Sequence, residues 1–316
     1  MSALPKSTSS KRKPPKGGAR WGVLSVVGAS VLWGTTGTAA TFAPQAGPLA
    51  IGAAAMGLGG ILQALSAARP IVDHSRNLWA HWPLVALGAA AVGAYPLAFY
   101  TSMHLAGVAV GTVVSIGSAP LASAVIERVA EGWRSTGRWA LGALLGLAGA
   151  ALLVGAGRGG GTTTALGPWA SPLGVVLGLV AGSTYALYSW AAHRLIGTGV
   201  ASRAAMGSVF GLGGLLLMPV LAANGAPLLE TWPNVAVSAY MAFVPMFAGY
   251  VLFGSGLARV RASTATGLSL VEPVVAAVLA VLVVGERLPA LGWLGATLVV
   301  GSVFFMASQG TRATDS

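Results

Sequence analysis

Apolar residues in this chain come in long runs, each close to the roughly 17–25 residues that cross the hydrocarbon core of a bilayer as a helix. Such runs occupy 21–42, 48–68, 82–103, 108–126 and 139–157, then 172–192, 204–223, 235–257, 262–284 and 291–308. The eighth and ninth nearly merge, with Arg259 and Arg261 marking the break between them. The pattern predicts an all-α integral membrane protein of ten transmembrane helices.

Composition excludes the alternative of two soluble domains that 316 residues would otherwise suggest. Only 8% of residues are charged, 55% are hydrophobic and the mean hydropathy is +0.77, too little polar surface for a dissolved globule. The 46 glycines would weaken helices in water, but in lipid small residues let backbones approach closely, as in Gly142-x3-Gly146 and Gly174-x3-Gly178-x3-Gly182. Cysteine is absent, so disulfides and thiolate metal sites are excluded. The four histidines (His74, His81, His104, His193) sit near segment ends or in loops, so no metal site is expected, and no cofactor.

Charge orients the chain. With a cytoplasmic N-terminus, 16 of the 18 lysines and arginines fall on the inner side and only Arg158 and Arg287 outside, the asymmetry expected of ten spans with both termini cytoplasmic. The net charge of +11 does not form a nucleic-acid surface, since six basic residues lie in a Ser/Pro/Lys tail over 1–20, expected to be disordered and to touch anionic lipid. A cleaved signal peptide is disfavoured, because its removal would leave nine spans with the charge pattern inverted. Trp21, Trp79, Trp82, Trp133, Trp139, Trp169, Trp190, Trp232 and Trp293 fall at or near segment ends, as an interfacial belt should, whereas Trp33 lies mid-segment.

Within this frame one residue stands out. Glu272 is the only charge in the 262–284 segment. A carboxylate at that depth costs about 2.5–3.5 kcal/mol, which is tolerated where it faces a cavity or a partner. Pro273 follows it, so the carbonyl of Ser269 is expected to lose its helical donor. The surrounding sequence also repeats. Residues 105–112 (LAGVAVGT) match 257–264 (LARVRAST). After a one-residue slip Ala119-Pro120 meets Glu272-Pro273, Gly132-Trp133-Arg134 meets Gly285-Glu286-Arg287, and Gly142 meets Gly295. Pro96 and Pro245 mark the third and eighth segments alike. Five spans per repeat is odd, so the halves must insert with opposite orientation, and inverted repeats with interrupted helices point to a secondary transporter.

The run from Ser269 to Leu288 (SLVEPVVAAVLAVLVVGERL) closely resembles the signature of the EamA repeat in the drug/metabolite transporter superfamily. Leu32-Trp33-Gly34 and Tyr185-Ala-Leu-Tyr188 resemble other segments of that family, and the likeness spans residues 21–308. The first half departs from the signature, with Ala119 in place of the glutamate and Trp133 where the second half has Glu286. The resemblance implies two inverted five-helix repeats (21–157 and 172–308) joined by an external linker (158–171), with cytoplasmic tails at 1–20 and 309–316. It also implies movement of small metabolites, often amino acids or amphiphilic drugs, and often outward.

Candidate binding or coupling residues follow. Ser269 and Glu272 share one helix face. Ser115 and Ser118 make a small polar stripe on the fourth segment, and Trp33 and Thr38 lie on the first. Tyr95, Tyr100, Tyr185, Tyr188 and Tyr250 fall inside spans, where they either stack on an organic substrate or fill interhelical space. Close packing is the competing account of the Ser, Thr and Gly stripes. Pro120, Pro273, Pro96 and Pro245 are candidate hinges. The expected partners are the lipid bilayer and a small-molecule substrate, with protons as a candidate coupling ion, a homodimer compatible with the chain, and the plasma membrane as its location.

Other classes fit less well. A membrane enzyme needs converging acid–base or nucleophilic residues, yet the chain offers only Asp73-His74 in a loop. No phosphate-binding Gly-x4-Gly-Lys-Ser/Thr loop is present to power transport by nucleotide hydrolysis. A receptor or scaffold leaves Glu272 unexplained, and an importer of the same fold remains the alternative direction.

Single cysteines introduced at Thr163 and Ser202 test the orientation. An impermeant maleimide applied to intact cells should label the first and spare the second; the reverse pattern would overturn it.

Overall fold

The computed structural model describes residues 18–43, 45–106, 108–156, 169–285, 287 and 289–310. The expected disordered tail through residue 17, linker residues 158–168, Glu286 and residues 311–316 lie outside them. The described residues are overwhelmingly helical. In chain order they form α1 (Gly18–Gly34), α2 (Thr36–Ala40), α3 (Pro48–Ser66), α4 (Ala68–Asp73), α5 (Ser75–Ala80), α6 (Trp82–Ala106), α7 (Val108–Glu131) and α8 (Gly137–Ala156). The second half holds α9 (Ala170–Gly197), α10 (Ser202–Asn224), α11 (Trp232–Met241), α12 (Gly249–Leu257), α13 (Ala262–Leu268), α14 (Val271–Leu279) and α15 (Ala290–Gly310). Among these residues eight helical stretches are long and apolar enough to span a membrane, and two shorter apolar helices, Gly137–Leu153 and Ala290–Met306, accompany them. The eighth and ninth segments separate at residues 258–261, where both arginines lie.

Helices that matching repeat positions would relate pack against each other, and they run antiparallel. Along α3 and α10, Gly57 meets Leu217 and Gly214, Gly60 meets Phe210, and Ala64 meets Gly211. Along α8 and α15, Gly142 meets Met306, Gly146 meets Ser302, and Gly149 meets Gly295. Glycine makes both crossings: a Cβ on Gly214 would sit 2.6 Å from the Gly57 carbonyl, and one on Gly149 would sit 2.7 Å from that of Gly295. Such backbone approach is how helices associate where lipid supplies no hydrophobic drive. The remaining contacts come as mates. α6 packs along α9 while α12 packs along α1, and α7 packs on α9 while α14 packs on α1. Gly132 and Gly285, aligned by the repeat, both take left-handed backbone, with φ of 69° and 80°.

The prolines act unequally. α6 and α7 continue through Pro96 and Pro120, both buried, so neither proline ends its helix as the repeat leads one to expect. In the second half Pro245 sits in a π-helical stretch, Ala242–Ala248. Pro273 follows a true break: α13 ends at Leu268 and α14 begins at Val271. Pro273 therefore lies in a first helical turn, where its missing N–H costs nothing, and the Ser269 carbonyl is not stranded, because the Glu272 N–H donates to it at 2.9 Å.

The glycine crossing is testable. Gly60→Val should lower the unfolding free energy by about 1–3 kcal/mol, read as a lowered Tm of the detergent-solubilised protein. Gly37→Val, at an exposed position with nothing within 4 Å of its new Cβ, should leave Tm nearly unchanged.

Candidate functional site

Both halves contribute to one central cavity. It measures about 50 Å³ to the centres of water-sized spheres, room for roughly three to five waters. The first half supplies Trp33 from α1, Thr36 from α2, Gly52, Ala55 and Met56 from α3, and Tyr95, Pro96, Phe99 and Tyr100 from α6. The second half supplies Tyr185 and Tyr188 from α9, Met246 from the π-helical stretch, Tyr250 from α12 and Glu272 from α14. Gly52 is there for Tyr100, whose ring occupies the place of a Cβ.

The aromatic rings form one connected cluster. Tyr95 stacks on Phe99 at 5.6 Å and meets Tyr188 edge-on at 5.9 Å. Tyr185 and Tyr188 lie 5.2 Å apart, and Trp33 lies 4.8 Å from Tyr250. The tilted and edge-to-face geometries suit the ring quadrupoles. Trp33 is 5% exposed, and its Nε1 donates to the Pro245 carbonyl at 3.0 Å, supplying a donor to the π-helical stretch. Gly249 leaves room for that indole, since a Cβ there would fall 2.7 Å from Nε1. Thr35 and Thr36 donate back to the Leu32 and Trp33 carbonyls, which turns the chain from α1 into α2 beside the cavity.

Glu272 is the cavity's single charge. It lies in the first turn of α14, where the helix dipole favours an anion, and Gly34 of α1 crosses directly against its backbone, leaving a Cβ there only 2.9 Å from the Glu272 carbonyl. Its carboxylate makes no hydrogen bond or ion pair to any described residue. The Tyr185 hydroxyl beside Ser269 is likewise buried without a partner. A structural carboxylate would have its lone pairs filled; this one faces open space.

On one side the cavity is closed. Tyr188 and Tyr250 share a 2.8 Å hydroxyl hydrogen bond, and Phe210, Phe253 and Leu257 fill the space beyond them with no exposure. Past these rings lies a polar seam between α7 and α13. Glu127, fully buried, accepts from the Ser263 N–H at 3.1 Å and its hydroxyl at 2.6 Å, and Thr266 bonds Ser123 at 3.1 Å. One turn on, Glu131 accepts from Trp190 at 2.9 Å and faces Arg261 at 3.4 Å and Arg194 at 3.9 Å. Arg261 also stacks over Trp133.

Of the residues expected to line the site, Glu272, Trp33, Tyr95 and Tyr188 meet at the cavity, together with Tyr100, Tyr185 and Tyr250. Ser269 is buried behind it and donates to the Thr266 carbonyl. Ser115 and Ser118 pack against Gly182 of α9, outside the lining, and Thr38 sits half-buried in α2 while Thr36 takes the lining position.

The sequence profile described as the EamA-like transporter family matches this chain twice, over residues 20–155 and 172–308. The chain belongs to the EamA-like transporter family. It is also 36% identical over 278 residues to "Uncharacterized transporter YwfM" of Bacillus subtilis (strain 168), covering 88% of this chain and 90% of that protein. A solved crystal structure sharing 20% identity superposes with a TM-score of 0.73 over 93% of this chain and 99% of its own, and so shares the fold. This EamA-like protein is thus an integral membrane protein of a transporter family.

Reading the sequence did not bring out Glu127 and Glu131. The apolar run ends at Ile126, so both look like loop residues, but α7 continues to Glu131 and buries the first. Their i, i+4 spacing on a helical continuation was the available signal.

The seam carries a prediction. Ser263→Ala leaves a buried carboxylate short of one hydrogen bond and should cost about 1.5–3 kcal/mol, measured as a lowered Tm. The same change in a Glu127→Leu background should cost far less, and equal losses in both would remove the coupling.

Proposed function

We propose that this EamA-like protein is a secondary active transporter that moves a small organic metabolite across the plasma membrane by alternating access, with Glu272 as its central binding or coupling group. The proposed architecture has ten spans in two inverted five-helix repeats (21–157 and 172–308), with both termini cytoplasmic, a basic tail over 1–20, a linker over 158–171 and a C-terminal tail over 309–316. The observation that carries the reading is the unpartnered Glu272 carboxylate facing a cavity built by both halves at a broken helix. A packed receptor or scaffold gives no reason to keep such a group in lipid.

The seam supports the cycle. Alternating access needs a barrier on one side of the site, and the hydroxyl pair Tyr188–Tyr250 with the Glu127–Ser263 and Glu131–Arg261 contacts supplies one. In the proposed orientation this barrier lies on the cytoplasmic side, and it must part for substrate to enter from the cytoplasm. The second-half irregularities, the π-helical stretches at Ala242–Ala248 and Ala280–Val284 and the break at residues 269–270, are places where a helix bends without losing a full turn of hydrogen bonds. Pro245 and Pro273 lie in or beside them, and Pro96 and Pro120 are their first-half counterparts. The proposed direction is export, and a proton taken up by Glu272 is the proposed coupling ion.

Glu272→Gln keeps shape and polarity while removing charge. Transport into inside-out vesicles should fall to background at unchanged folded yield, and its dependence on pH across the carboxyl's titration should vanish. Full activity with an unaltered pH profile would remove Glu272 from the mechanism.

A further inference from the structure

We infer that the transported molecule is an organic monocation with an aromatic or apolar body: an amine, a guanidine or a quaternary ammonium. The inference rests on the transport reading above and names its substrate class.

Glu272 is the only charged residue lining the cavity, and no lysine, arginine or histidine does so. The titratable groups facing it are phenols: Tyr95 and Tyr100 from α6, Tyr185 from α9 and Tyr250 from α12. Arg194 and Arg261 stand beyond the closed rings and face Glu131. A carboxylate taken from water without a partner is strongly unfavourable, and a cation at the same place relieves that cost. An anionic substrate would add a second negative charge to the cavity. A zwitterionic amino acid would satisfy Glu272 with its ammonium, but its own carboxylate would enter an aromatic cavity with no counter-charge. A neutral substrate would leave an ionised Glu272 uncompensated, so the carboxyl would have to keep its proton and could not exchange it for substrate.

The walls lead to the same class independently. Trp33, Tyr95, Tyr185, Tyr188 and Tyr250 present a continuous aromatic lining around the carboxylate. Indole and phenol faces attract cations through their quadrupoles, most strongly where water is excluded, and repel anions for the same reason. The same faces take an apolar body without unsatisfied hydrogen bonds. The unpartnered Tyr185 hydroxyl offers a lone pair to an N–H donor near the carboxylate.

Four probes that share a phenethyl body separate the classes on the purified full chain: phenethylammonium, phenylalanine, 3-phenylpropionate and 2-phenylethanol. Benzyltrimethylammonium and tetraphenylphosphonium cover larger cations. At least one cation should bind about tenfold or more tighter than the zwitterion, the anion and the alcohol. That preference should weaken as pH falls through the carboxyl's titration, disappear in Glu272→Gln and survive in Glu272→Asp, with both variants monodisperse. Equal or tighter binding of phenylalanine or 3-phenylpropionate overturns the inference, as does no binding by any cation or an unchanged preference in Glu272→Gln. Counterflow in proteoliposomes keeps the two readings apart. Cation binding without flux of any probe leaves the cationic ligand class standing and sinks transport; flux of phenylalanine without flux of any cation does the reverse.

Discussion

The bond from the Trp33 indole to the Pro245 carbonyl ties the site together. It joins a helix of the first half to a π-helical stretch of the second, where the backbone departs from α-helical bonding beside the cavity. In lipid an indole N–H without an acceptor is expensive, and the Pro245 carbonyl supplies that acceptor. The same indole packs on Tyr185, Tyr250 and Phe253 and sets the wall against which the remaining rings lie. One side chain thus pins the two halves together and orders the aromatic cluster. Gly249 is small so that it can do both.

Around that fixed point the protein separates two kinds of charge. At the closed end each carboxylate has its partners: Glu127 accepts from Ser263, and Glu131 meets Arg261, Arg194 and Trp190. In the cavity the single carboxylate is left unmatched. Matched charges hold helices in register, whereas an unmatched one supplies a standing electrostatic preference for whatever arrives. The two sets lie on the same spans, since α13 carries Ser263 and α14, beyond the break, carries Glu272.

Much of this was legible in the residues themselves. Glu272 and Trp33 stood out because each violates the rule for its position, a charge in mid-span and a tryptophan away from the interface. Pro273 marked the break, although its carbonyl bookkeeping came out differently because the chain turns two residues earlier. Ser115, Ser118 and Thr38 are not separable from packing residues in the sequence: small polar stripes serve both purposes, and for the two serines it is the position of Gly182 that decides which. The seam was hidden for another reason. Glu127 meets Ser263 across 136 residues of chain, and a residue at the edge of an apolar run carries no mark of whether the helix goes on.

The mated contacts hold a consequence about motion. In the proposed inverted repeat, α3 with α10 and α8 with α15 each join a helix to its own counterpart, so these pairs would straddle the axis relating the halves. The other contacts come as exchanged couples, and the couples are unequal: α6 lies along the length of α9, whereas its mate α1 holds α12 over a shorter stretch. Exchanging the shapes of the two halves would leave the glycine crossings where they are and reverse that inequality. Under the proposed cycle the opposite state is therefore already written in this one: α1 closes along its partner as α9 loosens from α6, and the molecule alternates between two mirror-like settings of a single asymmetry.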